Sequence, residues 1–267
     1  MKVGIFCNKS LKKYLPVQEE LFRVLKERGV LYEVCENVDD AEGIDVLIVL
    51  GGDGTMLKVA TAVGKKGIKI LGINSGNLGF LTEFEGDETE SAVELLQGDY
   101  RSQKRGVLQV CVNGQNFFAL NEVFFQRRYN EDADNNVVSV TALIDGKKVD
   151  DFVGDGIIVA TPTGSTAYSL SAGGPILTPD IHAFILTPVC AHSLHNRPIV
   201  YSDESVMQVR LTDEEGKISL FCDGKFICVI SQKDTVFIKK AEFQAEFVAG
   251  QNNFFDKLLF KLNKWSN

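Results

Sequence analysis

Hydrophobic periodicity changes near residue 100, and this switch restricts the fold of the chain more than any other feature. Before it, short apolar runs alternate with helical patterns. KVGIFC (2–7) reads as a buried strand. Pro16 opens a helix whose Leu21, Val24, Leu25 stripe stops at Gly29, a helix C-cap. LYEVCE, DVLIVL and IKILGI are further strands, separated by helices after Thr55 and around Ser91 to Leu96. Strand, helix, strand repeated in this way predicts an α/β domain with a parallel sheet. Beyond the basic stretch YRSQKRG (100–106) the chain turns mainly β. VLQVCV, FFALNEVFF, VVSVTALI, GIIVAT, SVMQVRL, KISLFC and KFICVI read as strands, and Asn113-Gly114, Asp145-Gly146 and Asp223-Gly224 give hairpin signals. The expected division is 1–100 as the α/β domain and 101–249 as the mainly β domain.

Composition narrows the possible partners. A net charge of −8, from 28 basic and 36 acidic residues, opposes general attraction to nucleic acid or an anionic membrane, so an anionic ligand must be gripped locally. MKVGIFCNKS carries no signal-peptide pattern and VLIVL is too short to cross a bilayer, so the expected location is cytoplasmic. The six cysteines include no CxxC pair and read as small buried hydrophobes in a reduced protein. The tail QNNFFDKLLFKLNKWSN sets Phe254, Leu258, Leu262 and Trp265 at helical spacing. A last helix docking on the protein's own sheet fits this short stripe better than a membrane anchor.

The chemistry concentrates in a few segments. The third strand runs into Gly51-Gly52-Asp53-Gly54-Thr55 and then a helix. In an open parallel sheet such a turn lies beyond the strand ends, where backbone N–H groups reach a phosphate at a helix amino terminus. Neither GxxxxGK[ST] nor GxGxxG is present. A carboxylate inside a phosphate loop repels the anion it faces. Asp53 therefore suits proton acceptance, a sugar hydroxyl or Mg²⁺, with helix capping as the structural alternative. Gly72 to Phe80 forms a second glycine-rich turn after the next strand, so both turns belong at one end of the sheet. Asn121-Glu122 puts two polar groups inside the apolar FFALNEVFF strand, where neighbours face opposite sides and one requires a partner. Residues 161–175, TPTGSTAYSLSAGGP, hold hydroxyls, glycines and one tyrosine but no basic residue, a wall suited to a nucleoside. GxSxG is absent, and His182, His192 and His195 have neither triad context nor metal-ligand spacing, so no protein metal site is expected.

GGDGT (51–55), GINSGNLGFL (72–81), LNE (120–122), GDG (154–156), TPTGSTAYSLSAGGP (161–175) and NRPIV (196–200) stand in an order that resembles the bacterial NAD kinases. GGDGT alone is shared with diacylglycerol-type lipid kinases, whereas residues 161–175 are specific to this resemblance. It implies an α/β amino-terminal domain, a sandwich-like β domain, and a carboxy-terminal segment, 250–267, returning to the first domain. It also implies phosphoryl transfer from ATP or polyphosphate to the 2′-hydroxyl of the adenosine ribose of NAD, with Mg²⁺ or Mn²⁺ accompanying the nucleotide. Asp53 matches the catalytic base, and Gly51, Gly52, Gly54 and Thr55 the phosphate loop. Asn121, Glu122 and Asp155 match dinucleotide-binding positions, and Thr166, Ala167, Tyr168, Ser169, Leu170 and Ser171 line the adenosine pocket. A homodimer or homotetramer with shared sites is implied as well. The competing readings are a non-catalytic NAD(P)-binding sensor and a lipid kinase, against which the acidic charge argues.

Overall fold

The computed structural model describes residues 1–7, 12–76, 79–128, 137–192, 197–212, 217–250 and 253–265. Asn77, Leu78, His195 and Asn196 of the motifs above lie outside them, as do the side chains of Leu262 and Trp265.

The chain divides into two compact units, Met1–Arg105 with Phe243–Asn267, and Gly106–Glu242. The first begins β1 (Val3–Cys7), α1 (Leu15–Glu27), β2 (Tyr32–Cys35), β3 (Val46–Leu50), α2 (Asp53–Gly64) and β4 (Lys69–Asn74). It continues through β5 (Phe84–Glu85), α3 (Thr89–Gln97) and β6 (Arg101–Arg105). The second unit runs from β7 (Leu108–Val112), β8 (Gln115–Ala119) and β9 (Glu122–Arg127) through β10 (Val138–Ile144), β11 (Lys147–Gly154) and β12 (Gly156–Ala160). The short helix α4 (Tyr168–Ser171) precedes β13 (Ala183–Val189), β14 (Ile199–Ser202) and β15 (Met207–Leu211). β16 (Ile218–Cys222), β17 (Lys225–Ile230) and β18 (Val236–Lys240) complete it, and the chain re-enters the first unit as β19 (Ala245–Ala249) and α5 (Phe254–Trp265).

In the first unit the strand order is β2-β1-β3-β4-β19-β6, with β5 beside β4. All pairings are parallel except β19 with β6. Every residue of β3 is buried, as expected for a central parallel strand covered on both faces. On α1, Leu21, Val24 and Leu25 are the buried residues, and Gly29 adopts a left-handed φ of 67° just after the helix.

The structure draws the boundary between units differently from the sequence. Arg101–Arg105 reads as a basic connector, yet it is a sheet edge strand, and Ala245–Ala249 reads with the β half but lies between β4 and β6. Exposed charge on β6 is what an edge strand tolerates, and it masks the alternation that identifies a strand.

The second unit is a sandwich of two antiparallel sheets, β11-β10-β15-β18-β7-β8 and β14-β13-β12-β9-β16-β17. Their inner faces share one core that includes Val110, Val123, Phe125, Val140, Ile157, Leu186 and Leu220. The three hairpins turn where Asn-Gly and Asp-Gly predict, each with two positive φ angles. Phe124, Ile158, Ala160 and Ile185 face the other side of the second sheet, where Ala172 and Leu177 cover them. The hydroxyl-rich 161–175 segment is thereby laid over β9 and β12.

Only Cys35 and Cys222 have the burial expected of all six cysteines: Cys7, Cys111 and Cys228 are half-buried, and Cys190 is exposed with a φ of 47°.

Candidate active site

In the first unit, Gly51 and Gly52 leave the end of β3, Gly52 caps α2, and Asp53 is the first helical residue. The Asp53 carboxylate does not cap its helix. It reaches the second glycine-rich turn, where one oxygen accepts the Phe80 N–H and the other the Leu81 N–H, both at 3.0 Å. The helix dipole favours a carboxylate at this position, and each oxygen keeps a free lone pair for a substrate proton. The turn closes tightly around this group: a Cβ on Gly79 would stand 2.0 Å from Asp53 Oδ1, so no other residue fits there without displacing the carboxylate. Thr82, buried, accepts the Gly79 N–H at 2.7 Å and fixes the turn from beneath. Thr55 is buried against Gly51, whereas, beyond its chain neighbours and its own helix backbone, no atom of the described residues lies within 4 Å of a Cβ built on Gly54. The space above Gly54, beside Asp53, is open to a ligand.

In the second unit, FFALNEVFF is not one strand. It breaks at Leu120-Asn121 into β8 and β9, which belong to opposite sheets. Asp223, in the β16–β17 hairpin turn, compensates for the break. Its carboxylate accepts the N–H groups of Leu120 at 2.8 Å, Asn121 at 2.8 Å and Glu122 at 3.1 Å. The Asp-Gly pair predicted only a turn there, so the sequence gives no sign of this second task. Asn121 also supplies a carbonyl to Thr161 N–H, and that carbonyl sits 2.0 Å from where a Gly164 Cβ would be. Glycine at 164 therefore allows the 161–175 segment to close over the Asn121 turn.

Glu122 is buried, and its pKa is pushed up to about 7 by desolvation and by the negative charge of Asp223, against a downward pull from the Tyr168 N–H. Among the described residues its Oε2 has no hydrogen-bond partner, which leaves a buried acceptor of the kind that a ligand hydroxyl or amino group satisfies. Beside it, Tyr168 is exposed with its ring edge-to-face on Phe124 at 5.0 Å. Ala167, Leu170 and Ser171 are wholly or partly exposed, and Thr166 bonds the Thr163 carbonyl while remaining partly exposed. Ser169 is different. It is fully buried, its hydroxyl shared with Thr187 at 2.9 Å, so it supports the segment instead of facing a ligand.

Asp155 forms a separate group. It pairs with Arg127 Nε at 3.0 Å and accepts from the Cys190 thiol, whose pKa it raises. β12 pairs Gly156 with Gln126 and Ala160 with Glu122. Asp155, level with Arg127, and Glu122, level with Ala160, thus stand at opposite ends of β12, five residues or roughly 17 Å apart at about 3.3 Å per residue. Arg127 and Cys190 carried no sequence signal. Among the described residues no group of three or more His, Cys, Asp or Glu is arranged to hold a metal ion, and no helix is long and apolar enough to cross a membrane.

Residues 32–100 match the family model of the ATP-NAD kinase N-terminal domain, and residues 120–250 that of the ATP-NAD kinase C-terminal domain. The chain belongs to the NAD kinase family. It is 35% identical to the NAD kinase of Methanothermobacter thermautotrophicus, over 98% of this chain and 96% of that one. To the NAD kinase of Caldanaerobacter subterraneus subsp. tengcongensis it is 40% identical, over 98% and 99%. An NAD kinase from Archaeoglobus fulgidus, solved in complex with ATP, has a TM-score of 0.79 at 27% identity, covering 98% of this chain and 99% of that one. Yeast NADH kinase complexed with NADH shares the fold, with a TM-score of 0.86 at 22% identity over 99% and 88%. Membership of the NAD kinase family sets aside the lipid-kinase reading of GGDGT.

Proposed function

We propose that this chain phosphorylates NAD to NADP, transferring the terminal phosphoryl group of ATP or polyphosphate to the 2′-hydroxyl of the adenosine ribose. The observation that carries the reading is Asp53: a carboxylate at the start of a helix, held by two amides of a glycine-rich turn, beside open space. A base clamped in this way removes the hydroxyl proton as the oxygen attacks phosphorus, and the phosphoryl oxygens find N–H donors at the start of α2. Phosphoryl transfer depends on positioning and electrostatics, which a tightly closed turn supplies.

The acceptor nucleotide falls to the second unit. Glu122, with its unpartnered oxygen, and Asn121 take ribose hydroxyls or the adenine amino group, while the exposed face of Thr166, Ala167, Tyr168, Leu170 and Ser171 packs on the nucleoside. Asp155, with Arg127, is assigned to the far end of the dinucleotide. Mg²⁺ or Mn²⁺ arrives as the complex of the donor, keeping most of its ligands as water and phosphate. Action in the cytoplasm as a homodimer or homotetramer with shared sites belongs to the same proposal. Incubating the pure protein with NAD, ATP and Mg²⁺ and measuring NADP tests the reading. NADP is expected; NAD binding without turnover would make the protein a sensor.

A further inference from the structure

The turn that holds Asp53 is itself held by the end of the chain. Lys257, on α5, donates to the Thr82 carbonyl at 2.9 Å and to Glu83 Oε2 at 2.7 Å. Both members of this ion pair are largely buried, with side-chain exposures of 11% and 7%. Phe254 places its ring 6.3 Å from that of Phe80, and Lys261 Nζ stands 5.8 Å over the Phe80 ring. Gly250 passes so close that a Cβ there would meet Glu83 Oε1 at 2.7 Å. Packing alone does not wedge the segment, because a cavity of about 40 Å³ remains between Phe80, Leu81, Glu83, Phe247, Phe254 and Lys257. Residues 82 and 83 are tied to the sheet by the Glu83 N–H bond to the Gly72 carbonyl at 3.0 Å and to α5 by the polar link from Lys257, and Phe80 and Leu81 beside them are the residues whose amides clamp the carboxylate.

We propose that Lys257 is a positioning residue for Asp53: through Thr82 and Glu83 it sets the turn whose two amides aim the carboxylate at the acceptor hydroxyl. The inference rests on the NAD kinase reading for its kinetic consequence and on geometry alone for its structural one. A simpler role is neutralising Glu83, since a buried carboxylate without its partner is strongly unfavourable. Two variants separate these roles. Lys257→Met removes the donor and the charge, whereas Glu83→Gln/Lys257→Met removes the donor together with the carboxylate charge it neutralises.

The experiment measures kcat, the KM for NAD, and hydrogen exchange of the Phe80 and Leu81 amides, for wild type and both variants, well below each melting temperature. Positioning predicts kcat lowered about 10- to 100-fold in both variants, with KM for NAD little changed and both amides exchanging faster. Lys257→Arg, which keeps a cationic donor, should restore part of the rate. Lys240→Met, which breaks the ion pair with Asp203 in the second unit, should leave kcat unchanged. A double variant with kcat within about twofold of wild type would reduce Lys257 to charge neutralisation and overturn the proposal. A slowed variant with unchanged exchange at Phe80 and Leu81 would overturn it too, because Lys257 would then act other than through the turn. If the wild type forms no NADP, the NAD kinase reading fails, while the exchange rates still decide whether Lys257 holds the turn; should Lys257→Met fail to fold, the double variant and Lys257→Arg carry the test.

Discussion

Asp53 and Glu122 are two carboxyl groups placed in opposite electrostatic settings. Asp53 receives two backbone N–H donors at a helix start, and Glu122 lies buried beside a second carboxylate with one oxygen unpartnered. Asp53→Asn keeps the volume but turns its Nδ2–H₂ toward one of the two amides, so one hydrogen bond is lost at a cost of about 0.5–1.5 kcal/mol. The missing base should lower kcat by about 10² to 10⁴ while NAD affinity changes much less, measured by steady-state kinetics and calorimetry. Turnover near wild type would remove the catalytic assignment. For Glu122 the folded pKa of about 7 lies above the ordinary 4.5, so the folded state holds its proton longer. As pH rises from about 4.5 through about 7 the unfolded chain ionises first, and the group's contribution to stability is lost across that window. Glu122→Gln cannot ionise. In the free protein it should match wild type near pH 4 and exceed it at pH 8 by on the order of 1–3 kcal/mol in denaturant unfolding, while binding NAD more weakly. Equal stability at pH 8 would contradict the buried, unpartnered carboxylate. The sequence marked both carboxylates by their apolar or glycine-rich surroundings. It did not show what holds Asp53, because backbone amides 27 and 28 residues away leave no side-chain signature.

Most elements were legible because each is bounded by turn chemistry: β3 by Gly51, α1 by Gly29, and three hairpins by residues with left-handed φ. The failures share a cause. FFALNEVFF read as one strand because its apolar residues are continuous, and the turn inside it has no glycine or proline. The turn is satisfied from a distance, by the Asp223 carboxylate. Asp223 is consequently the joint between the β16–β17 hairpin and the start of β9. Burial raises its pKa and the three amides lower it. Asp223→Ala should strand those amides and destabilise the protein by about 2–3 kcal/mol, read in denaturant melts, and raise the KM for NAD because Asn121 and Glu122 lose their frame. Asp223→Asn should retain part of both. An unchanged KM in Asp223→Ala would show that the frame does not serve the nucleotide.

Over the whole molecule, the switch in periodicity located two units but not their edges. Strands β6 and β19 pair with each other across more than a hundred intervening residues, and no local pattern records that pairing. The net charge of −8 agrees with an anionic ligand gripped by local turns and not by a general field. On the proposed function the acceptor is one atom, the 2′-hydroxyl oxygen of the adenosine ribose. The most direct test of the account compares NAD with 2′-deoxy-NAD under identical conditions with Mg²⁺ and ATP, identifying products by phosphorus NMR and chromatography. NAD should give a single product bearing a 2′-phosphate, and 2′-deoxy-NAD should compete with NAD for binding yet receive no phosphoryl group. Phosphorylation of the deoxy analogue at any position would contradict the assignment of the 2′-hydroxyl as the group that faces Asp53.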